Sequence, residues 1–493
     1  MIGWFSDAEF NLLRFIYNRL FEKRRVKDLW VKNVKIGLER RRFWRPAEFF
    51  HGETVMRGLV IGLILGMLFA PFSGGSPVAM AAQSAKKPAA KKQKPKPLPE
   101  TGKPVPGLEP FDRMMRAFLK KQGIPGASLA VVKDGRLVYA RGFGYADVER
   151  KQPVQPDSLF RIASISKPIT AVAILRLVER KKLSLDDKVL DIVKLKPHFN
   201  GEVNFDPRWK TVTIRQLLQH TGGWDRDASF DPMFRAVQFA KELKRKPPAA
   251  SKDVICCMLG RPLDFDPGTK YAYSNFGYNL LGRVIEAKTG KTYEQFVKQD
   301  VLQPIGVTRM RIGGSLLEQR VAGEVRYYNH GDEQTSSVFF PDKRVLWPYG
   351  GWHHEAMDSH GAWIASAGDL ARFAAAIDRP RKSKILSPGS IREMFAPPPA
   401  PVSRTKDGKL KPTYYGLGWS VRTADPGKIN TWHTGSLPGT STILVRRHDG
   451  LSWVVLMNRR KTPESNHAAR LIDPLVHKAA NAVKSWPKGD LFQ

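Results

Sequence analysis

Phe160-Arg161-Ile162-Ala163-Ser164-Ile165-Ser166-Lys167-Pro168-Ile169-Thr170 leads directly into Ala171-Val172-Ala173-Ile174-Leu175-Arg176-Leu177-Val178-Glu179, an apolar run with helical spacing. A serine three residues ahead of a lysine at the first turn of a buried helix puts both side chains on one face, about 4.5 Å of rise apart. A nucleophile then stands beside an amine. The helix N-terminus adds free N–H groups and a partial positive charge, which favour an alkoxide or acyl oxyanion and a neutral lysine. Pro168 fits a first turn, whose N–H groups lack internal acceptors. Ser-x-x-Lys alone is a weak signal, because it recurs at Ser84/Lys87, Ser403/Lys406 and Ser485/Lys488 in lysine-rich or loop-like surroundings. Only Ser164 opens a long apolar helix, and there the plain alternative is a serine N-cap with an exposed lysine.

Working outward, the 493 residues hold 42% hydrophobic and 10% aromatic side chains, a globular composition with a sizeable core. The formal net charge of +35 fits a basic exported protein better than a polyanion binder. No zinc finger, RNA-binding aromatic signature or basic zipper accompanies it, which argues against nucleic acid as a partner.

Gly58 to Ala85 carries no charge, and its apolar stretch Gly58–Ala70 is followed by Pro, Gly and Ser and then Ala79-Met80-Ala81. That is the layout of a secretory signal peptide or membrane anchor over residues 58–82. Residues 1–57 are too long for the charged region that precedes such a signal. Two readings follow: Met56 is the true start, or the basic, aromatic extension is a cytoplasmic membrane-surface segment ahead of an uncleaved anchor. Both put the remainder outside the cytoplasm, periplasmic or extracellular. Residues 83–105 are Lys, Pro and Ala with almost nothing apolar, so an extended cationic linker able to touch an envelope polyanion is expected. Leu98-Pro99-Glu100-Thr101-Gly102 spells a sortase-type signal, but a folded domain follows it, not an apolar tail. Cys256 and Cys257 are adjacent, which rules out a long-range intrachain disulfide framework and suits a buried helix.

From about residue 106 to residue 485 the pattern is regular, leaving 486–493 as a tail. Phe111 to Gln122 has helical spacing and ends at Gly123-Ile124-Pro125-Gly126. Ala127–Val132 and Leu137–Ala140 flank Asp134-Gly135 as a hairpin. Helices with Gly and Pro breaks fill the middle. Strands return from Asn430, at Ile443–Val445 and Trp453–Met457, before a closing helix from Ala468 to Val483. Strands at both ends with helices between predict an α+β fold: an antiparallel sheet built from the two ends of the domain, flanking helices and an inserted, mainly helical lobe.

Two more polar constellations interrupt this pattern. Tyr273-Ser274-Asn275 follows the turn Asp266-Pro267-Gly268 and starts the helical stretch Phe276–Ala287, so a tyrosine and an amide project from a loop. A capping Asn with a packing Tyr is the alternative, and Tyr327-Tyr328-Asn329 repeats the triplet elsewhere. His433-Thr434-Gly435-Ser436 breaks a sheet-forming region, where Gly435 would let a substrate backbone approach; a surface turn is the alternative.

Taken in order, Ser-x-x-Lys, Tyr-x-Asn and His-Thr-Gly on a helix, a loop and a strand resemble the serine β-lactamase and penicillin-binding protein superfamily. The resemblance is to its class C β-lactamase, D-alanyl-D-alanine carboxypeptidase and esterase branch. Flanks such as Leu217–Gly223, Ala365–Leu370 and Tyr415–Trp419 share it. It implies a β-lactamase/transpeptidase-like fold and a Ser164 acyl-enzyme, with Lys167 and Tyr273 as a coupled base pair. It also implies oxyanion donors at the Ser164 and Ser436 N–H groups, substrate contacts from Asn275, His433, Thr434 and Gly435, and no cofactor.

The substrate implied is a small molecule or peptide carrying an amide or ester. His433 stands where the β-lactamase form usually has Lys; titrating near 6.5, it would be a weaker, pH-dependent partner for a substrate carboxylate, which lowers the expectation of β-lactam hydrolysis. Arg446 and Arg447 are candidates to supply charge instead. His353-His354-Glu355 with His360 lacks metal-ligand spacing, so no metal is expected and a polar cleft loop is. The absence of Gly-x-Ser-x-Gly argues against an α/β-hydrolase. Two further readings stay open: a class C-like β-lactamase, and a non-catalytic envelope binding or scaffolding protein on the same fold.

Overall fold

Asp134 and Gly135 both adopt positive φ (51° and 73°), the geometry of the tight two-residue turn that matches strand twist. They join β2 (Gly126–Lys133) to β3 (Arg136–Asp147), the first long strands. The computed structural model describes residues 97–492 apart from 202, 203, 330, 332, 465 and 466. The apolar run at 58–82 and its basic extension lie outside the described residues.

Five more strands come from the other end of the chain: β4 (Thr413–Tyr415), β5 (Ser420–Asp425), β6 (Lys428–Leu437), β7 (Thr440–Arg446) and β8 (Leu451–Met457). With β1 (Glu100–Thr101) the order is β1-β3-β2-β8-β7-β6-β5-β4, and a short strand at Gln152–Pro153 pairs off β3. Every pairing is antiparallel, and β2 against β8 stitches the two ends together. The fold class is the one expected. β4 and β5 lie ahead of Asn430, where strands were expected to return; the outer half of β5 is exposed and lacks an apolar run.

Alternation along β2, β7 and β8 sends side chains to two cores. Leu129, Val131, Ile443 and Val455 face α1 (Glu109–Gln122) and α5 (Ala468–Asn481). Ala130, Val132, Leu444 and Val454 face the inserted segment, with α2 (Ser166–Glu179) at its centre and α3 (Asn275–Thr289) and α4 (Ala367–Asp378) around it. Apart from Arg176, Val178 and Glu179, all of α2 is buried, which explains why its sequence is apolar on nearly every side.

The fold runs past both boundaries expected from composition. Glu100 and Thr101 pair with Phe143 and Gly142 on β3, so the supposed sorting signal is an edge strand. At the other end Asp490 accepts from the Leu137 N–H and Leu491 donates to its carbonyl, so most of the supposed tail closes the sheet. Short backbone pairings give no compositional signal. Cys257 is buried on the helix Ser251–Leu259, and both cysteines are free.

Candidate active site

Ser164 lies in a 3-10 turn, Ala163–Ile165, that runs directly into α2, and it makes no capping bond there, so its hydroxyl is not consumed by the helix. Ala163 holds φ of +48°, a left-handed conformation that costs about 1–2 kcal/mol for a residue with a β-carbon. The surroundings compel it. Phe160 and Arg161 pair with Ala365 and Ile364, and Ile162 donates to the Trp363 carbonyl at 2.9 Å. Thr440 Oγ1 donates to the Arg161 carbonyl (2.8 Å), Thr442 Oγ1 to that of Ile162 (3.0 Å) and Ser166 Oγ to that of Ala163 (2.7 Å).

Lys167 is wholly buried, and its Nζ lies 2.8 Å from Asn275 Oδ1, 2.9 Å from the His360 carbonyl and 3.2 Å from Ser164 Oγ. Burial drives its pKa well below the usual lysine value; Asp231 opposes this and Arg226 adds to it. A neutral amine suits the three neighbours: two N–H bonds serve the Asn275 and His360 oxygens and the lone pair faces the Ser164 hydroxyl. The Tyr273 and Tyr278 rings close around the amine, with centroids 4.8 and 5.6 Å from Nζ.

The Tyr273 phenol is favoured towards ionisation by Ser164, yet burial outweighs this and pushes its pKa up, so it stays protonated. Ser274, not Asn275, caps α3 by accepting from the Gly277 N–H at 3.1 Å. Asn275 is thereby free to bridge Lys167 to Asp231, donating from Nδ2 to Oδ2 at 2.6 Å. Burial raises the Asp231 pKa, and Arg226 lies 3.9 Å away.

Beyond Trp432, β6 has lost its β5 neighbour and keeps only β7, so residues 433–437 present one unladdered edge. His433 is buried; Nδ1 donates to the Thr434 carbonyl at 2.8 Å and Nε2 accepts from Tyr415 at 2.9 Å, which the neutral ring satisfies. Burial, reinforced by Lys167, pulls its pKa down to about 3. The expected pH-dependent cation for a substrate carboxylate is therefore corrected: His433 is neutral near pH 7. Gly435 is also reassigned. What approaches it is the protein's own Ile162 carbonyl, 2.1 Å from where a β-carbon would sit. Thr434 and Ser436 alternate to the opposite face, where Ser436 Oγ accepts from Arg460 Nε at 3.0 Å and lies 3.2 Å from His467 Nδ1.

The other candidates disperse. Arg446 pairs with Asp378 in a nearly buried contact, and Arg447 is held by Asp449 and Asn481, so neither is a free cation. His354 bonds Trp352 and Ser315, His353 bonds the Ala249 carbonyl, and His360 contributes its backbone oxygen to Lys167. Among the described residues no cluster of three or more His, Cys, Asp or Glu is placed to hold a metal.

Asp231, Arg226, Tyr278, Thr440 and Thr442 carried no legible signal. His220 sits in a quoted flank without an assigned role. Its φ is +57°, its Nδ1 accepts from the Ser274 N–H at 3.2 Å, and its ring packs 4.3 Å from that of Tyr273 and 4.5 Å from that of Tyr415.

This sheet and inserted helical lobe, with a serine beside a buried lysine, define an α+β protein of the β-lactamase/transpeptidase-like class. The family described as Beta-lactamase matches residues 111–477, and the chain belongs to that family, whose structural neighbours include hydrolases. It is 28% identical over 345 residues to penicillin-binding protein 4* of Bacillus subtilis, covering 69% of each chain. Two solved structures share the fold. One is a D-amino acid amidase from Ochrobactrum anthropi (TM-score 0.56, 21% identity, 76% of this chain and 98% of that one). The other is EstCE1, a hydrolase with promiscuous acyltransferase activity (TM-score 0.58, 20% identity, 77% and 99%).

Proposed function

We propose that the protein is an exported serine hydrolase that cleaves an amide or ester through an acyl-enzyme on Ser164, acting as a D-alanyl-D-alanine carboxypeptidase-like or carboxylesterase-like enzyme. The observation that carries this is the buried Lys167 amine 3.2 Å from Ser164 Oγ with its other two partners already supplied. Ser164 Oγ bonds to the substrate carbonyl carbon as its proton passes to Lys167 Nζ. The oxyanion falls to the Ser164 and Ser436 N–H groups, the latter on the unladdered edge of β6. As the carbon–leaving group bond breaks, protonated Lys167 passes the proton to the departing amine or alcohol, with the neutral Tyr273 phenol beside Ser164 as its relay, and leaves the acyl group on Ser164 Oγ. Water then repeats the sequence and releases the acid.

The neutral Tyr273 favours Lys167 as the base of the pair. Asn275 serves first to aim Lys167, and its remaining N–H is left for the substrate. His433, held neutral, supplies no charge for a substrate carboxylate, which favours the carboxylesterase-like form over a class C-like β-lactam reaction. The relatives' names, a penicillin-binding protein, an amidase and a hydrolase, support the same reaction class. Export rests on the sequence of residues 58–82, as signal or anchor.

Intact mass after incubation with a penicillin and, separately, a p-nitrophenyl ester tests this against Ser164→Ala. A lasting penicilloyl adduct on Ser164 supports the carboxypeptidase-like form, and Ser164-dependent ester turnover the esterase-like form. Rapid penicillin turnover would transfer the assignment to a β-lactamase. No reaction with these or a wider panel of amides and esters would leave the scaffold.

A further inference from the structure

The outer surface of α1 and α5 lies on the sheet face opposite α2 and Ser164, and it carries an apolar groove of about 580 Å³. Its floor includes Met114, Ala117, Leu471 and Leu475, and Arg113, Lys121 and Lys478 rim it with no carboxylate among the lining residues. Leu475 is 39% exposed in mid-helix. A neighbouring hollow of about 580 Å³ continues the surface past Arg113 to Lys484 and Trp486, whose indole packs 6.2 Å from the Phe111 ring. Glu109 is the one carboxylate there.

We infer that this face is a docking surface for an anionic lipid bilayer. Apolar side chains ringed by cations, with an aromatic at the margin, match the layered chemistry of a bilayer surface: acyl chains, headgroup boundary and phosphates. The position at which the chain enters the fold argues for the same partner. Pro97 lines a third hollow together with Lys120 and Arg116 of the same helix and Glu100, which pairs with Arg116. Residues 83–96, rich in lysine, separate Pro97 from the apolar run that ends by Ala82. Fourteen residues reach at most about 50 Å at roughly 3.5 Å each, so a bilayer holding that run lies within reach of α1. Docked this way, the domain turns the Ser164 side of the sheet outward.

Solved neighbours covered to 98% and 99% consist of this fold alone, so residues 97–493 are tested as a separate chain, free of the apolar run. The probe is co-sedimentation with vesicles of phosphatidylglycerol and phosphatidylcholine, against vesicles of phosphatidylcholine alone, near physiological salt. Binding to the anionic vesicles at least about tenfold tighter is expected, because several cations each contribute. Leu475→Glu and Lys478→Glu should each weaken it severalfold with unchanged circular dichroism and melting temperature, whereas Lys409→Glu, on a remote exposed turn, should not. Equal effects from Lys409→Glu and Lys478→Glu, or none from Leu475→Glu, would reduce the surface to general charge and overturn the inference. A dimer dissolved by Leu475→Glu, without vesicle binding, would assign the groove to a second copy; binding to a soluble polyanion but not to vesicles would assign it to an envelope polymer.

Discussion

Gly435 on β6 lies so close to Ile162 that a β-carbon added there would stand 2.1 Å from the Ile162 carbonyl oxygen and 2.2 Å from Thr442 Oγ1. This contact seats the nucleophile turn against the strand that carries Ser436. Gly435→Ala must push the two apart. The expected loss is about a hundredfold in kcat/KM, the scale of an ångström's misplacement, with overpacking costing about 1–3 kcal/mol of stability. Ester turnover and urea midpoints measure both, and a variant with wild-type kcat/KM would refute the role of this contact.

Lys167→Met removes the base and the cost of burying an amine. Its kcat/KM should fall about 10²- to 10⁴-fold while its urea midpoint holds or rises. Lys167→Arg should be as inactive, because a guanidinium gives up no proton at these pH values. Activity in either variant within a factor of ten of wild type would move the base elsewhere.

Turnover needs Lys167 unprotonated, so kcat/KM should rise with pH through the folded-state pKa of this group, which burial places well below the ordinary lysine value. The Asp231 carboxylate opposes that shift. Asp231→Asn keeps an oxygen for Asn275 Nδ2 and removes the charge, so the acid limb of the profile should move to lower pH. A limb that stays in place would show that Asp231 acts only through geometry.

His433 predicts how stability responds to acid. Its folded pKa of about 3 lies below an unfolded value near 6.5, so below pH 6.5 the unfolded chain binds a proton that the folded chain refuses. Stability is therefore lost as pH falls from about 6.5 towards 3. His220, His354 and His360, similarly depressed by burial, add to the loss. His433→Gln should shrink the drop in urea midpoint between pH 7 and pH 4.5; an unchanged drop would mean that His433 titrates normally in the fold.

Much of this was legible because local chemistry sufficed. Asp134-Gly135 can hardly be read except as a tight turn, and the apolar run after Ser164 only as a buried helix. The linker and tail boundaries were set too far inward because β1 is held by backbone pairing, which any side chain permits, and the tail by a single backbone bond from Leu491 and the Asp490 carboxylate, whose partner Leu137 is far away in sequence. His433 was expected to titrate because an isolated imidazole does; its neutrality comes from Tyr415 and from burial, neither of which is local in sequence.

The sequence by itself determined the kinds of groups and their order: a serine one helical turn from a lysine, a tyrosine and amide before a helix, and a glycine in a strand. Periodicity and turn chemistry act over a few residues, so composition along the chain carries them. Only the tertiary structure decided the protonation states and who touches whom. The Lys167 pKa is pulled far below the usual lysine value because α2 is enclosed on every side, Asn275 is aimed because Asp231 arrives from a loop 44 residues away, and Gly435 is required because Ile162 crosses it. Desolvation and close contact depend on distance in space, and that is set only when the whole chain has closed.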